Sequence, residues 1–291
     1  MNQTKILLPP NSLNLKIQQT TALAISTGAL QSIPTDYETI AENGISFIVR
    51  VLVNLVRKDR AKKAQSKDFN PFLPYEKDLF VADLTETHLC LLNKYNVVEN
   101  HLLIITRAFV DQEKLLDLDD FIALWTTLAQ TEGLAFYNGG KTAGSSVKHK
   151  HLQLVPTKMN QLEIPIASIL KTANSTGNID RFPFAHSFSK LDFDWEKSIY
   201  EAAENTLEIY KELLSKIGIF SSSNNKQSAP YNFLMTREWM LIVPRECEYY
   251  RGISINSLGF AGALLVRDRQ QLQLVKEISP MNILEAVARN K

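Results

Sequence analysis

At 291 residues the chain is long enough for one large domain or two small ones. Its 45% hydrophobic and 22% charged residues are the proportions of an ordinary globular protein, which argues against a disordered or fibrous chain. A formal net charge of +1 supplies no global field to gather nucleic acid or an anionic membrane, so any anion site has to be local. The two cysteines, Cys90 and Cys247, form no C-x-x-C pair and point to reduced thiols in a cytoplasmic protein rather than a disulfide framework. No apolar run approaches the roughly 20 residues of a membrane span. The N-terminus, with Pro9 and Pro10, lacks the basic start and apolar block of a secretory signal.

The first forty residues are mixed, with a weak helical pattern from Ser12 to Ala29. Ile45 to Val56 is rich in Val, Ile and Phe and reads as a strand; Arg57 to Lys67 is basic and polar and reads as an exposed loop. Thr87 to Leu92 and His101 to Thr106 are β-rich runs joined by a polar loop, an expected antiparallel pair. Asp117 to Gln130 is an expected helix, with Asp117 as N-cap and Phe121, Leu124, Trp125 and Leu128 at helical spacing. A strand follows at Leu134 to Asn138. Phe193 to Lys216 reads as a second long helix ended by Gly218, and Ser221 to Asn225 as a flexible linker. Tyr231 to Thr236 and Trp239 to Val243 make a hairpin around Arg237-Glu238; its shape faintly echoes the earlier strand pair and hints at a duplication. Ser279-Pro280 starts the last helix. Strands dominate and do not alternate regularly with helices. No G-x-G-x-x-G follows a strand, which disfavours a doubly wound dinucleotide fold, and the P-loop pattern fails because Ser145 follows Gly144 where Lys is required.

The chemistry concentrates in Asn138 to Gln153. A loop of small residues, including Gly144, Ser145 and Ser146, runs into a strand with His149, His151 and Gln153 at every second position. Strand side chains alternate between faces, so these three share one face while Lys150, Leu152 and Leu154 share the other. Three uses are open to such an arrangement. A metal site would need a third and fourth ligand beyond the two imidazoles; His88, His101 and His186 are available in principle, but nothing local supplies a carboxylate or thiol. A purely structural pair of histidines leaves the small-residue loop unexplained. Nucleophilic attack on phosphorus uses all the parts. A neutral imidazole is a good nucleophile near pH 7, and the backbone and hydroxyls of Gly144, Ser145 and Ser146 can hold phosphoryl oxygens. Gln153 can hold another without gaining or losing a proton.

N-x-G, a short gap, G-x-S and then H-x-H-x-Q resembles the signature of the transferase branches of the histidine-triad superfamily, whose hydrolase branches carry a third His in place of Gln. Three further blocks narrow the resemblance to the ATP adenylyltransferases, also called diadenosine tetraphosphate phosphorylases. They are Asn70-Pro71-Phe72-Leu73-Pro74; Leu91 to Val98 with His101-Leu102-Leu103-Ile104; and Tyr231 to Thr236 with Trp239-Met240-Leu241. The uridylyltransferase branch commonly has Pro between the histidines and a C-x-x-C zinc site, whereas this chain has Lys150 and no C-x-x-C.

The resemblance implies an α+β fold: an antiparallel sheet with outer helices, built as two histidine-triad-like halves of one unit, 40–160 with the catalytic motif and 190–291. It implies phosphorolysis of diadenosine tetraphosphate to ATP and ADP, and the reverse, with adenylyl sulfate as a related substrate. His151 would attack the α-phosphorus and carry AMP; His149 would orient it or the loop; Gln153, Ser145 and Ser146 would bind phosphoryl oxygens. Asn93 would contact ribose, Asn138 would brace the loop or touch phosphate, and Lys94 would be a phosphate contact or simply solvated. A divalent cation, Mg²⁺, would accompany the polyphosphate, with no metal bound by the protein itself. The expected partners are small nucleotides and phosphate, not nucleic acid or membrane, and the oligomeric state is left open. The alternatives are a nucleotidylyltransferase of the uridylyltransferase type and a non-catalytic sensor of dinucleotide polyphosphates.

Overall fold

The computed structural model describes residues 4–53, 69–160, 162–174 and 176–291; the basic stretch Arg57 to Lys67 lies outside the described residues. Helix α1 (Leu13–Thr27) buries Leu13, Ile17 and Ala24 and stops at Gly28, whose positive φ of 74° suits a residue without a Cβ. Strands β1 (Thr35–Glu42) and β2 (Ile45–Leu52) form a hairpin around Asn43-Gly44, both at positive φ as a two-residue turn of this twist requires. Strands β3 (Phe80–Asp83), β4 (His88–Leu92) and β5 (Leu102–Thr106) precede helix α2 (Leu118–Leu128). Next come β6 (Gly133–Gly139), β7 (His151–Pro156), α3 (Ala167–Thr172), β8 (Thr176–Gly177), β9 (Ser187–Lys190) and α4 (Ile199–Lys216). The chain closes with β10 (Tyr231–Met235), β11 (Trp239–Pro244), β12 (Tyr249–Tyr250), β13 (Ile253–Ser254), α5 (Ser257–Phe260), β14 (Ala263–Val266), α6 (Arg269–Ile278) and α7 (Pro280–Val287).

One sheet organises the molecule. Its nine strands run β3-β4-β5-β7-β6-β10-β11-β9-β8, each antiparallel to its neighbours. Residues before 160 supply the strands up to β6 and residues after 175 the rest; the two sets join where Asn138 of β6 pairs with Asn232 of β10. On one face Ile104, Leu152, Leu154, Tyr137 and Phe233 pack under α1, α2 and α4. Helices α2 and α4 lock through Trp125 Nε1, which donates to Thr206 Oγ1 at 2.7 Å, and through the edge-to-face pair Phe121–Tyr210. On the other face Leu134, Phe136, Val155, Leu234 and Leu241 pack against the small β1-β2-β14 sheet and α6 and α7. Over β4, β5 and β7 that second face carries only a small cluster of Phe72, Leu89, Leu91, Leu103 and Ile105. This is the face on which His151 and Gln153 stand. The architecture is the expected α+β sheet with outer helices.

Two expectations need correction. The second long helix begins at Ile199, not Phe193: Ser198 is its N-cap, accepting from Glu201 N–H, and Trp195 stacks on Trp125 from the preceding turn, so its apolar spacing reflects packing without helix. Ser221 to Asn225 is no free linker, since Ser222 N–H donates to Lys226 O at 2.7 Å and closes a turn. Strands β1, β3 and β14 and helix α6 were not singled out. β1 is half exposed and carries polar residues outward; β3 and β14 are four residues each, too short for a period to show.

Candidate active site

Two strands and a glycine loop assemble the site. The β6–β7 ladder pairs Phe136 with Gln153 and then parts. The Gln112 side-chain amide fills the gap like a piece of strand. Its Oε1 accepts from His151 N–H at 2.8 Å, and its Nε2 donates to Asn138 O at 3.0 Å and His151 O at 3.3 Å. The backbone of 110–112 pairs with 148–150, with Lys150 N–H on Val110 O and Gln112 N–H on Lys148 O, both at 2.7 Å. The segment leading into β7 is therefore held on both sides.

The alternation expected of His149, Lys150 and His151 is present. Both imidazoles meet the Phe72 ring edge-to-face, at 5.5 and 5.4 Å, while Lys150 points through the sheet and is buried against α2. There its ammonium pairs with Asp120 and donates to Leu115 O at 3.0 Å, and Asp120 also holds His88 Nε2 at 3.1 Å. Burial alone would raise the Asp120 pKa; the Lys150 ammonium and His88 overcome it and hold the carboxyl well below its usual range. Asp120 closes the α2 capping box with Asp117 as well.

The hydrogen-bond partners fix what each imidazole can do. Phe72 N–H donates to Asn70 Oδ1, so Asn70 Nδ2 donates to His149 Nδ1 at 3.0 Å. His149 Nε2–H then donates to Thr106 O at 2.8 Å. Both His149 nitrogens are occupied. His151 Nδ1–H donates to the His149 carbonyl at 2.8 Å, which leaves its Nε2 lone pair without a partner among the described residues. Burial pushes the His151 pKa down to about 4, so the ring is neutral near pH 7. Burial lowers the His149 pKa too.

Gln153 stands at the end of a second relay. Tyr95 N–H donates to Asn93 Oδ1, Asn93 Nδ2 donates to His101 Nδ1, and His101 Nε2–H donates to Gln153 Oε1 at 3.0 Å. Burial takes the His101 pKa down to about 4, which keeps this tautomer. The Gln153 amide nitrogen has no partner among the described residues and can donate to a ligand.

The loop from Gly139 to Lys148 makes one tight turn at Lys141–Ala143, with Gly140 and Gly144 at φ of 86° and 93°. A Cβ on Gly144 would lie 2.8 Å from Asn256 Cβ and 2.9 Å from Ile255 O, so the C-terminal segment touches the loop there. Ser145 is buried and donates to Val147 O, whereas Ser146 is exposed beside it. Asn138, on the row of His151, is buried; its Oδ1 accepts from Asn232 Nδ2, Ser257 N–H and Ser257 Oγ. Lys94 pairs with Glu76 at 2.6 Å at the surface. His151, Gln153, Asn138 and the loop thus come together, with Asn93 joined to them through His101. Sequence reasoning missed Gln112, which has no motif around it. It used Asn70 only as part of a block, and His101 only as part of a block and as one metal candidate. Among the described residues no group of three or more His, Cys, Asp or Glu is placed to hold a metal, and no helix is long and apolar enough to cross a membrane.

Residues 3–172 match the model of the Ap4A phosphorylase N-terminal domain, and residues 180–290 that of the ATP adenylyltransferase C-terminal domain. The chain belongs to the Ap4A phosphorylase family. It is accordingly a nucleotidyltransferase of the family whose reaction is phosphorolysis of diadenosine tetraphosphate to ATP and ADP. It is 30% identical over 273 residues to diadenosine 5',5'''-P1,P4-tetraphosphate phosphorylase 2 of Saccharomyces cerevisiae, covering 83% of this chain and 81% of that protein. The fold is that of yeast Ap4A phosphorylase Apa2 crystallised with AMP, at a TM-score of 0.79 and 24% identity over 98% of each chain. Apa2 in complex with Ap4A gives 0.76 at 23% identity, over 95% of this chain and 97% of that one.

Proposed function

We propose that this chain splits diadenosine tetraphosphate with phosphate through an adenylyl group carried on His151, and runs the same steps in reverse. The observation that carries the reading is the unpartnered Nε2 of a neutral His151 whose Nδ1–H is tied to the His149 carbonyl. Nε2 attacks the α-phosphorus; the N–P bond forms as the P–O bond to the leaving ATP breaks. The ring becomes an imidazolium, and its charge is met by the His149 carbonyl already hydrogen-bonded to Nδ1–H. A phosphate oxygen then attacks the same phosphorus, the N–P bond breaks and ADP leaves. Splitting transfer into two displacements lets the site choose phosphate over water as acceptor.

The same reading assigns the other residues their roles. Gln153 donates its amide hydrogens to a non-bridging oxygen, and Ser146 with the loop backbone meets the leaving chain. Ser145 braces the loop through Val147 O. His149, with both nitrogens engaged, orients His151. Asn93 faces the ribose and orients Gln153 through His101. Lys94, held by Glu76, stays solvated. Mg²⁺ would enter as part of the substrate, on the phosphate oxygens. Adenylyl sulfate presents the same adenylyl group on another leaving anion and fits the same steps. We place the protein in the cytoplasm, where Cys90 and Cys247, both free, stay reduced.

The test is a product assay with ¹⁸O-labelled phosphate. The label is expected in the terminal phosphoryl group of ADP, with AMP as a minor product. AMP formed from water at an equal or greater rate would make the chain a hydrolase.

A further inference from the structure

Beneath the glycine loop lies a guanidinium with no carboxylate in direct contact among the described residues; Glu248 is the carboxylate whose charge reaches it from beyond ion-pair distance. Arg245 is 2% exposed and follows β11. It donates from Nε to Val287 O at 3.1 Å, from one terminal nitrogen to Asn232 Oδ1 at 2.5 Å, Ile255 O at 3.0 Å and, weakly, Ala143 O at 3.4 Å, and from the other to Cys247 O at 2.7 Å. Its plane lies over Phe260, 5.2 Å from the ring centre. All these acceptors are neutral oxygens, and no carboxylate stands within ion-pair distance among the described residues. A buried charge is ordinarily paired, because desolvating it is costly. A neutral side chain would fill the same space more cheaply.

The partners of Arg245 lead to the site. Because Asn232 Oδ1 accepts from Arg245, Asn232 Nδ2 must donate; it does so to Asn138 Oδ1 at 2.9 Å, Ala143 O at 2.8 Å and Ser257 Oγ at 2.9 Å. That settles the Asn138 amide as well: its oxygen faces inward and its nitrogen outward. Among the described residues the sole buried side-chain polar atom lacking a partner is Gln227 Oε1. Asn138 Nδ2 donates to no described residue; Asn138 is 2% exposed and lies on the strand next to His151, at the foot of the loop.

We propose that Arg245 is a positioning residue for adenylyl transfer. Through Asn232 it turns the Asn138 NH₂ toward the polyphosphate and pins the Ala143 carbonyl at the loop, and bound phosphate supplies its missing negative charge. The proposal rests on the reading that His151 and the loop receive a polyphosphate. It gives the site a second oriented amide donor, Asn138, besides Gln153, and makes the C-terminal segment part of the machinery.

The decisive variant is Asn232→Asp. It is isosteric and gives Arg245 a counter-ion, but removes the donors that face Asn138 Oδ1 and Ala143 O. Inorganic tripolyphosphate serves as the probe for the leaving chain and AMP as the control, by calorimetry, with Tm recorded for each protein. Asn232→Asp is expected to melt as a folded protein and to bind tripolyphosphate at least about tenfold more weakly, with AMP affinity changed by less than about threefold. In an Asn138→Ala background the same change should add less than about threefold, since Arg245 and Asn232 act through Asn138. Arg245→Met should show the same selective loss; if it fails to fold, Asn232→Asp decides. Folded Asn232→Asp with wild-type tripolyphosphate affinity, or losses that multiply independently of Asn138, would overturn the proposal. If wild type itself neither binds tripolyphosphate nor becomes adenylylated, the reading of the site fails instead.

Discussion

His101 Nε2–H donates to Gln153 Oε1 at 3.0 Å, and that bond decides which end of the Gln153 amide meets a ligand. With the oxygen committed, the NH₂ group is the end without a partner among the described residues, and on the proposed reading it donates to a phosphoryl oxygen. Gln153→Glu keeps the shape and the bond to His101 but turns a carboxylate oxygen on the phosphate. The adenylylation rate is expected to fall about 10²–10³-fold, as for loss of a transition-state donor. His101→Phe frees the amide to rotate and should cost about tenfold, or roughly 1.4 kcal/mol. Single-turnover kinetics with Mg²⁺-diadenosine tetraphosphate separates the two; a Gln153→Glu protein as fast as wild type would remove Gln153 from the transition state.

The pH behaviour follows from the buried imidazoles. His151, His101 and His186 have pKa values pushed down by burial to about 4, against about 6.5 for a free imidazole. Between these values the unfolded chain binds the protons and the folded chain does not. Their contribution to stability is thus complete above about pH 6.5 and is lost as pH falls toward about 4. Tm should drop steadily across that window. His186→Gln, remote from the catalytic motif, should flatten the slope. Adenylylation should stay level from pH 8 down to about 5, with no step near 6.5 from His151. A half-maximal rate near pH 6.5 would show an imidazole exposed to water.

The other face of β7 carries the stability cost. Lys150 and Asp120 are each 1% exposed and paired. Asp120→Ala leaves the buried ammonium with only the exposed Asp117 carboxylate, 3.6 Å away, and should destabilise the protein by about 3–5 kcal/mol in urea titration. The double change Lys150→Met with Asp120→Leu removes both charges and should recover much of that loss. If Asp120→Ala costs less than about 1 kcal/mol, the pair is not desolvated.

Much of this was legible in the sequence, for identifiable reasons. The two-residue period placed His149, His151 and Gln153 on one face and Lys150 on the other; the capping Asp117 marked α2. What stayed hidden is contact across long separations. Gln112 reaches His151 from a loop with no motif; Asn232 reaches Asn138 from β10, and Arg245 reaches Asn232 from the end of β11. A period reports faces, not which distant side chain fills the gap between two strands. The late start of α4 has the same origin, because Trp195 packs on the core without being helical.

Gln112 gives a direct test of that gap. Gln112→Leu preserves bulk but leaves His151 N–H and two carbonyls without their partner, at about 1–3 kcal/mol each before water re-enters. The expected result is a kcat lower by at least about tenfold with a smaller change in AMP affinity, since the nucleophile's backbone shifts while the nucleotide contacts remain. Equal losses in kcat and AMP affinity would mean general loosening instead.

The central claim is that His151 Nε2 carries the adenylyl group. Intact-mass analysis after mixing with Mg²⁺-diadenosine tetraphosphate, without phosphate, reads it directly. Wild type should gain one AMP, located on His151 by peptide mapping and discharged by phosphate as ADP; His151→Ala should gain none, while His149→Ala gains it slowly. An adenylylated His151→Ala protein, or an adduct mapped to His149, would contradict the assignment.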